Sequence, residues 1–163
     1  MAVEGQALRQ AMRQWATGVT VVTSRTPAGP HGITVNSFSS LSLDPPLCLI
    51  CIDKRTRAHE EIPQAGGFVV NVLGEHQEEI AARFAGRRPD LPDLFAGLDL
   101  LAAPSGAPVF AGVVSYLDCR LRDQLPGGDH TIFIGTVEHA EAPPAGHRPL
   151  LFYGGGFGRV AAG

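Results

Sequence analysis

The chain has 163 residues, enough for one ordinary hydrophobic core, with 44% hydrophobic and 18% charged residues. That profile argues against disorder, and a net charge of −3 without a broad basic field argues against a nucleic-acid partner. No apolar run approaches the ~20 residues that span a bilayer. The first residues, Met1-Ala2-Val3-Glu4-Gly5-Gln6, lack the charged and apolar parts of a secretion signal, so a cytoplasmic location and no membrane partner are expected.

In chain order, Leu8, Ala11, Met12 and Trp15 recur at helical spacing and predict an amphipathic helix over 6–15, ended by Gly18. The β-branched run 19–24 predicts a strand. Pro27-Ala28-Gly29-Pro30 turns the chain, and 31–36 returns as a second strand of a hairpin. A further strand is expected at 47–53. Thr56 is placed to cap a short helix over 57–64. Gly66-Gly67 precede a strand at 68–73, and 75–84 reads as a helix with acidic residues early and Arg83 late. Residues 85–97 read as a surface excursion and 109–122 as a long bent strand. Leu125-Pro126-Gly127-Gly128 is a turn, 130–141 and 150–153 are strands, and a glycine-rich segment closes the chain. Six or seven strands joined largely by short turns favour antiparallel pairing in a mostly β fold with flanking helices. Closing that sheet into a barrel removes its exposed edges. One domain over 1–163 is expected.

The most informative stretch is Gly32-Ile33-Thr34-Val35-Asn36-Ser37-Phe38-Ser39-Ser40-Leu41-Ser42-Leu43-Asp44-Pro45-Pro46-Leu47. Small hydroxyl and amide residues let a ligand approach the backbone and offer short hydrogen-bonding groups. The stretch is longer than a simple turn requires, and we read it as the wall of a cofactor site. An ordinary loop with solvated hydroxyls is the competing explanation.

Other motifs fail. Gly154-Gly155-Gly156-Phe157-Gly158 opens no helix, so it is no dinucleotide fingerprint. No phosphate-binding loop or nucleophile elbow is present. The six histidines show no metal-ligand spacing, and no metal is expected. Cys48-Leu49-Ile50-Cys51 lies in an expected strand, where side chains three apart point to opposite faces, so these cysteines read as core residues rather than a redox pair. Chemistry is then expected from a cofactor rather than from a side-chain triad.

Taken together, Thr17-Gly18-Val19-Thr20-Val21-Val22-Thr23, the stretch 32–42, Asp44-Pro45-Pro46-Leu47, Phe68-Val69-Val70-Asn71-Val72-Leu73, Arg83-Phe84-Ala85-Gly86, Gly128-Asp129-His130-Thr131-Ile132-Phe133-Ile134-Gly135-Thr136-Val137 and Pro149-Leu150-Leu151-Phe152-Tyr153 resemble the flavin reductase-like family. The resemblance runs through almost the whole chain. It implies a split β-barrel that binds FMN or FAD, a homodimer, reduction of flavin by NADH or NADPH, and a flavin-dependent oxygenase component as the partner taking the reduced flavin. Thr34, Val35, Asn36 and Ser37 would then supply a strand edge for the flavin ring. Ser39 or Ser40 could donate to its phosphate, with Lys54, the only lysine, as the cation between Asp53 and Arg55. Thr56 caps its helix or touches phosphate. Arg83 and Phe84 fall in a matching segment, Phe84 serving the flavin edge or the core. His130 is the candidate catalytic residue, in the place where the family contacts the nicotinamide nucleotide. Tyr153 and Phe157 could stack on nicotinamide or adenine. Two alternatives stay open: a flavin-binding or electron-carrier protein without its own NAD(P)H turnover, which would not require the Gly128-Asp129-His130 rim, and a stress or regulatory domain that only uses a barrel for dimer contacts.

Overall fold

The computed structural model describes residues 1–143 and 146–161. Helix α1 spans Gly5–Met12 and is followed by β1 (Thr17–Gly18), β2 (Thr20–Thr26), β3 (Gly29–Val35), β4 (Phe38–Leu43) and β5 (Pro46–Asp53). Helix α2 (Arg57–Ala65), β6 (Gly67–Val72) and the short helix α3 (Glu78–Ala82) come next, α3 running into a wide turn at Arg83–Arg87. The remaining strands are β7 (Leu100–Ala102), β8 (Pro108–Phe110), β9 (Ser115–Gly127), β10 (His130–Glu141), β11 (Leu150–Tyr153) and β12 (Gly156–Arg159).

Seven strands form one antiparallel sheet in the order β3-β2-β6-β9-β10-β5-β4. Its two edge strands, β3 and β4, are consecutive in the chain and joined only by Asn36 and Ser37. A two-residue link spans less than about 12 Å, so the sheet must roll until its edges meet there. They meet without pairing to one another, and that open seam is the split of the barrel. Six of the expected strands lie in this sheet; the strand expected at 150–153 is β11 of a small sheet, the bent strand expected at 109–122 is divided between β8 and β9, and β4 was not expected. Two small sheets, β1-β11-β12 and β7-β8, complete the described residues.

The stretch after β3 differs from the expected loop. Only Asn36 and Ser37 bend; the serine-rich segment is the edge strand β4, paired with β5. An edge strand needs no alternating apolar pattern where its outer side meets water, which is why its composition resembled a loop.

Burial alternates along β5, with Cys48, Ile50 and Ile52 inside. With Val22, Phe68, Val70, Phe133 and α2 residues Ala58 and Ile62, they form one core cluster. Val19, Val21, Val69, Leu73, Phe84 and Phe110 form a second. Because Val21 and Val22 point to opposite faces, β2 is buried on both sides. Gly135 sits where a Cβ would lie 2.8 Å from the Phe68 ring and from Cys119 Cβ, so a side chain there would displace the core. Cys48 and Cys119 are core thiols with their sulfurs 3.5 Å apart; Cys51 faces the other way as the strand alternation requires, but it is half-buried on the outer face and not in the core as expected.

Other expectations shift at the ends. Helix α1 stops at Met12 and buries none of its residues; Leu8, Met12 and Trp15 remain 55%, 52% and 66% exposed. Thr56 precedes α2 but does not cap it, its hydroxyl donating back to the Asp53 carbonyl at 2.7 Å. Helix α3 begins three residues late because Gln77 Oε1 accepts from Gly74 N–H and holds a turn before it. In the excursion after α3, Leu94, Phe95 and Leu98 pack onto the second core cluster, so it is more than surface. The glycine-rich end is the turn of a β11–β12 hairpin, with Phe152 opposite Phe157. No helix among the described residues is long and apolar enough to cross a membrane.

Candidate active site

The seam opens into a groove. Three hollows of about 160, 370 and 330 Å³ all include Asn36 in their walls. The first lies among Val19, Thr34, Val35, Ala85, Arg87, Phe152 and Phe157. The second is covered by Met12, Arg13 and Trp15 and floored by Phe152, Tyr153, Gly154 and Gly155. The third runs past Trp15, Thr17, Thr20 and Phe38. Flat aliphatic and aromatic walls around one exposed amide suit a planar heterocycle, which needs apolar surfaces for its faces and polar groups for its edge. The free edge of β3 supplies backbone groups on that side, since among the described residues β3 pairs only with β2. These features fit a flavin.

Within the groove, Thr34 is committed to structure: its hydroxyl donates to the Ala81 carbonyl at 2.7 Å and ties β3 to α3. Ser37 locks the bend, donating its hydroxyl to the Cys51 carbonyl at 2.8 Å while Cys51 N–H donates to the Ser37 carbonyl at 3.0 Å. Asn36 makes no side-chain hydrogen bond among the described residues and stands exposed between these two fixed neighbours. Ser39 and Ser40 follow on β4, exposed. Tyr153 donates to Gln14 Oε1 at 3.1 Å, which ties the end of α1 to the hairpin. Phe157 has Arg87 over its ring at 5.2 Å, so one of its faces is already covered.

A second cluster lies close by. Ser37 is bonded to Cys51, and Asp53 is two residues further along β5, roughly 7 Å at strand spacing. His130 pairs in register with Asp53. Lys54 Nζ donates to the Gly128 carbonyl at 2.6 Å, and its N–H to the Asp129 carbonyl at 3.1 Å, so the β9–β10 turn is buckled to the end of β5. The ammonium keeps further donors for a phosphate. Arg55 bonds the Asp53 carboxylate and holds it well below the usual carboxylate range. Asp129 bonds His130 Nδ1 at 2.7 Å, and that contact lowers the Asp129 carboxyl in turn. His130 therefore stands half-buried and braced at the rim.

Two candidates stand apart. Phe84 is 4% exposed and packs with Phe95 and Phe110, lining none of the three hollows. Arg83 pairs with Glu79 and donates to the Ala96 carbonyl at 3.0 Å, bracing the excursion. The groove also recruits Arg13, Trp15, Arg87 and Phe152, which sequence reasoning passed over. Trp15 had been assigned to a helix's apolar face, and nothing local marks either arginine.

Residues 12–161 match the family described as flavin reductase like domain, and the chain belongs to it. It is 39% identical over 156 residues to the reductase subunit HsaB of a flavin-dependent monooxygenase from Mycobacterium tuberculosis, covering 95% of this chain and 82% of that one. It is 42% identical over 161 residues to the FMN reductase (NADH) SmoA from Agrobacterium fabrum, covering 96% and 86%. Among solved structures, the NADH:FAD oxidoreductase SgcE6 of Streptomyces globisporus in complex with NAD and FAD fragments superposes with a TM-score of 0.89 at 41% identity, covering 99% and 97%.

The outer face of the sheet beside this site is apolar. Cys51 lies opposite Ile132 and Leu49 opposite Ile134, and all four are only half-buried. Leu125, opposite Ile132 on β9, is 48% exposed.

Proposed function

We propose that this chain is an NAD(P)H:flavin oxidoreductase acting on FMN or FAD, and that the reduced flavin is delivered to a flavin-dependent monooxygenase. The observation that carries the reading is the seam at Asn36, where an unbonded amide and a free strand edge face flat apolar walls. Similarity to relatives named as FMN reductase (NADH) and as a monooxygenase reductase subunit supports the chemistry.

When bound, flavin supplies the two-electron chemistry by accepting hydride from reduced nicotinamide. The chain's own residues do the positioning. Asn36 offers a donor and an acceptor to the ring edge, while Val35 and Phe152 exclude water from its faces. Ser39, Ser40, Lys54 and Thr56 are assigned to the flavin phosphate, Lys54 as a compact cation. Asp53 serves by holding the Lys54–Arg55 segment. His130 orients the nicotinamide nucleotide, its ring fixed by Asp129. Holding two rings in contact removes much of the entropic part of the barrier without a protein nucleophile.

The half-buried apolar face of β5 and β10 supports assembly as a homodimer, because such a patch is ordinarily covered. The 163 residues act as one domain, and a cytoplasmic site of action accords with a reaction fed by soluble nucleotides. The test is direct. Purified protein with NADH should lose the NADH absorbance band rapidly once FMN or FAD is added. Flavin binding without that loss would make the protein a carrier, and no flavin binding would remove the reading altogether.

A further inference from the structure

Seven of the twelve arginines face a carboxylate, and among the described residues Arg9, Arg13, Arg25, Arg87 and Arg159 do not. Three of those five, Arg9, Arg13 and Arg87, line the groove at the seam. Among the described residues, no acidic side chain lines any of its three hollows. The hollow near Arg25 shows the contrast: Arg25 and Arg120 there share the walls with Asp118 and Glu138, and the charges offset one another.

Two of the groove cations are also seated. A Cβ on Gly155 would fall 3.2 Å from Arg13 Nη2 and 3.4 Å from both Cζ and Nε. Three nearly equal distances mean that the guanidinium lies face-on to the glycine backbone. A Cβ would crowd that approach, and the turn itself favours glycine there, because Gly155 has φ of 92°. On the same hairpin, Arg87 rests its guanidinium over the Phe157 ring, 5.2 Å from its centroid. The main chain pins Arg13 as well, its carbonyl accepting from Gly154 N–H at 3.0 Å. Phe152 borders both hollows, so one hairpin carries both cations along one groove.

A flat seat costs an arginine much of its rotamer freedom before any ligand arrives. Arg9 adds a like charge one helical turn before Arg13, an arrangement that slightly destabilises a helix unless an anion relieves it. Cations that are held in place, exposed and unneutralised are prepared for a planar, multiply charged anion.

We propose that Arg13 and Arg87 form a diphosphate subsite of this groove, gripping the anionic bridge of a dinucleotide. This rests on the flavin reductase reading, in which two dinucleotides, FAD and NAD(P)H, present that chemistry. It is separate from the Lys54 cluster, which lies beyond Ser37 at the far end of β5.

The test uses the intact protein and calorimetric titration with riboflavin, FAD and NADH. Wild type is compared with Arg13→Gln, Arg87→Gln, their double variant, and Arg25→Gln as a control of equal charge change for each single variant. All three positions are exposed, and thermal melts within about 2 °C of wild type confirm folding. The double variant is expected to weaken FAD or NADH at least about tenfold, with riboflavin binding unchanged and Arg25→Gln within about twofold. Loss confined to FAD assigns the subsite to the flavin, whose phosphate then belongs to the groove and not to Lys54; loss confined to NADH assigns it to the hydride donor and leaves the flavin phosphate at Lys54. FAD and NADH both within about twofold in the double variant, or an equal loss in Arg25→Gln, would overturn the subsite while leaving the groove reading intact. Wild type that fails to bind riboflavin would remove the groove reading, and the subsite with it.

Discussion

Asn71 and Asn36 are the same residue type in opposite circumstances. Asn71, on β6, is wholly buried and fully engaged. Its amide donates to the Val21 carbonyl at 3.1 Å and to Thr23 Oγ1 at 3.2 Å, and its oxygen accepts from Phe110 N–H at 3.1 Å. Thr23 in turn donates to the Pro108 carbonyl at 2.6 Å. Asn36 is exposed at the seam, and none of its side-chain atoms is bonded among the described residues. The protein spends one amide on holding β8 against the sheet and leaves the other open. Small polar residues alone do not mark a site; polar groups left unsatisfied beside flat walls do.

The comparison breaks most forcefully at Asn71. Asn71→Leu is expected to lower unfolding stability by about 3 kcal/mol, because Phe110 N–H and its neighbours lose their partners in a dry interior. Urea unfolding measures this. A loss as small as that of a surface substitution would mean the network is dispensable.

Asn36→Ala sharpens the other side. Unfolding stability should stay within about 0.5 kcal/mol of wild type, while the flavin dissociation constant rises about tenfold for a lost buried hydrogen bond. Fluorescence titration with FMN and FAD reads it. Destabilisation with flavin affinity intact would reverse the assignment of the two asparagines.

Much of this contrast was legible in the sequence. The strands of the large sheet follow β-branched and apolar runs, so 19–24, 47–53, 68–73 and 130–141 fell nearly where β2, β5, β6 and β10 lie. Asn36 stood out because it interrupts such a run. Strand β4 was hidden, since an edge strand with serines on its wet side carries no alternation. Helix α1 has a real apolar stripe, but periodicity reports amphipathicity and not what the stripe meets, and among the described residues nothing buries it. Arg83 and Arg87 look alike in sequence. They differ because the wide turn at Arg83–Arg87 sends Arg83 back to Glu79 and Arg87 out to Phe157, seventy residues on. Long-range placement of that kind leaves no local trace.

His130→Ala tests the rim rather than the seam, with a smaller effect. The Michaelis constant for NADH should rise about fivefold, as for one exposed charge-assisted contact, with flavin affinity preserved. Steady-state kinetics at saturating flavin separate the two. An unchanged constant together with unchanged turnover would remove His130 from the nucleotide path.

The smallest effect belongs to His31, partly buried beside α2 residue Glu61. Burial pulls its pKa below 6.5; Glu61, with Oε2 at 3.8 Å, opposes the shift, and Arg57 reinforces it. The folded state therefore prefers neutral His31, while the unfolded chain takes up a proton near 6.5. The unfolded state binds more protons in that window, so stability falls as pH drops from about 6.5 toward the lowered value and is flat above it. Wild type should accordingly lose melting temperature relative to His31→Gln between pH 7 and pH 5, by a few degrees at most. Parallel melting curves for the two proteins across that range would show that Glu61 fully offsets the burial, leaving this corner of the fold indifferent to protons.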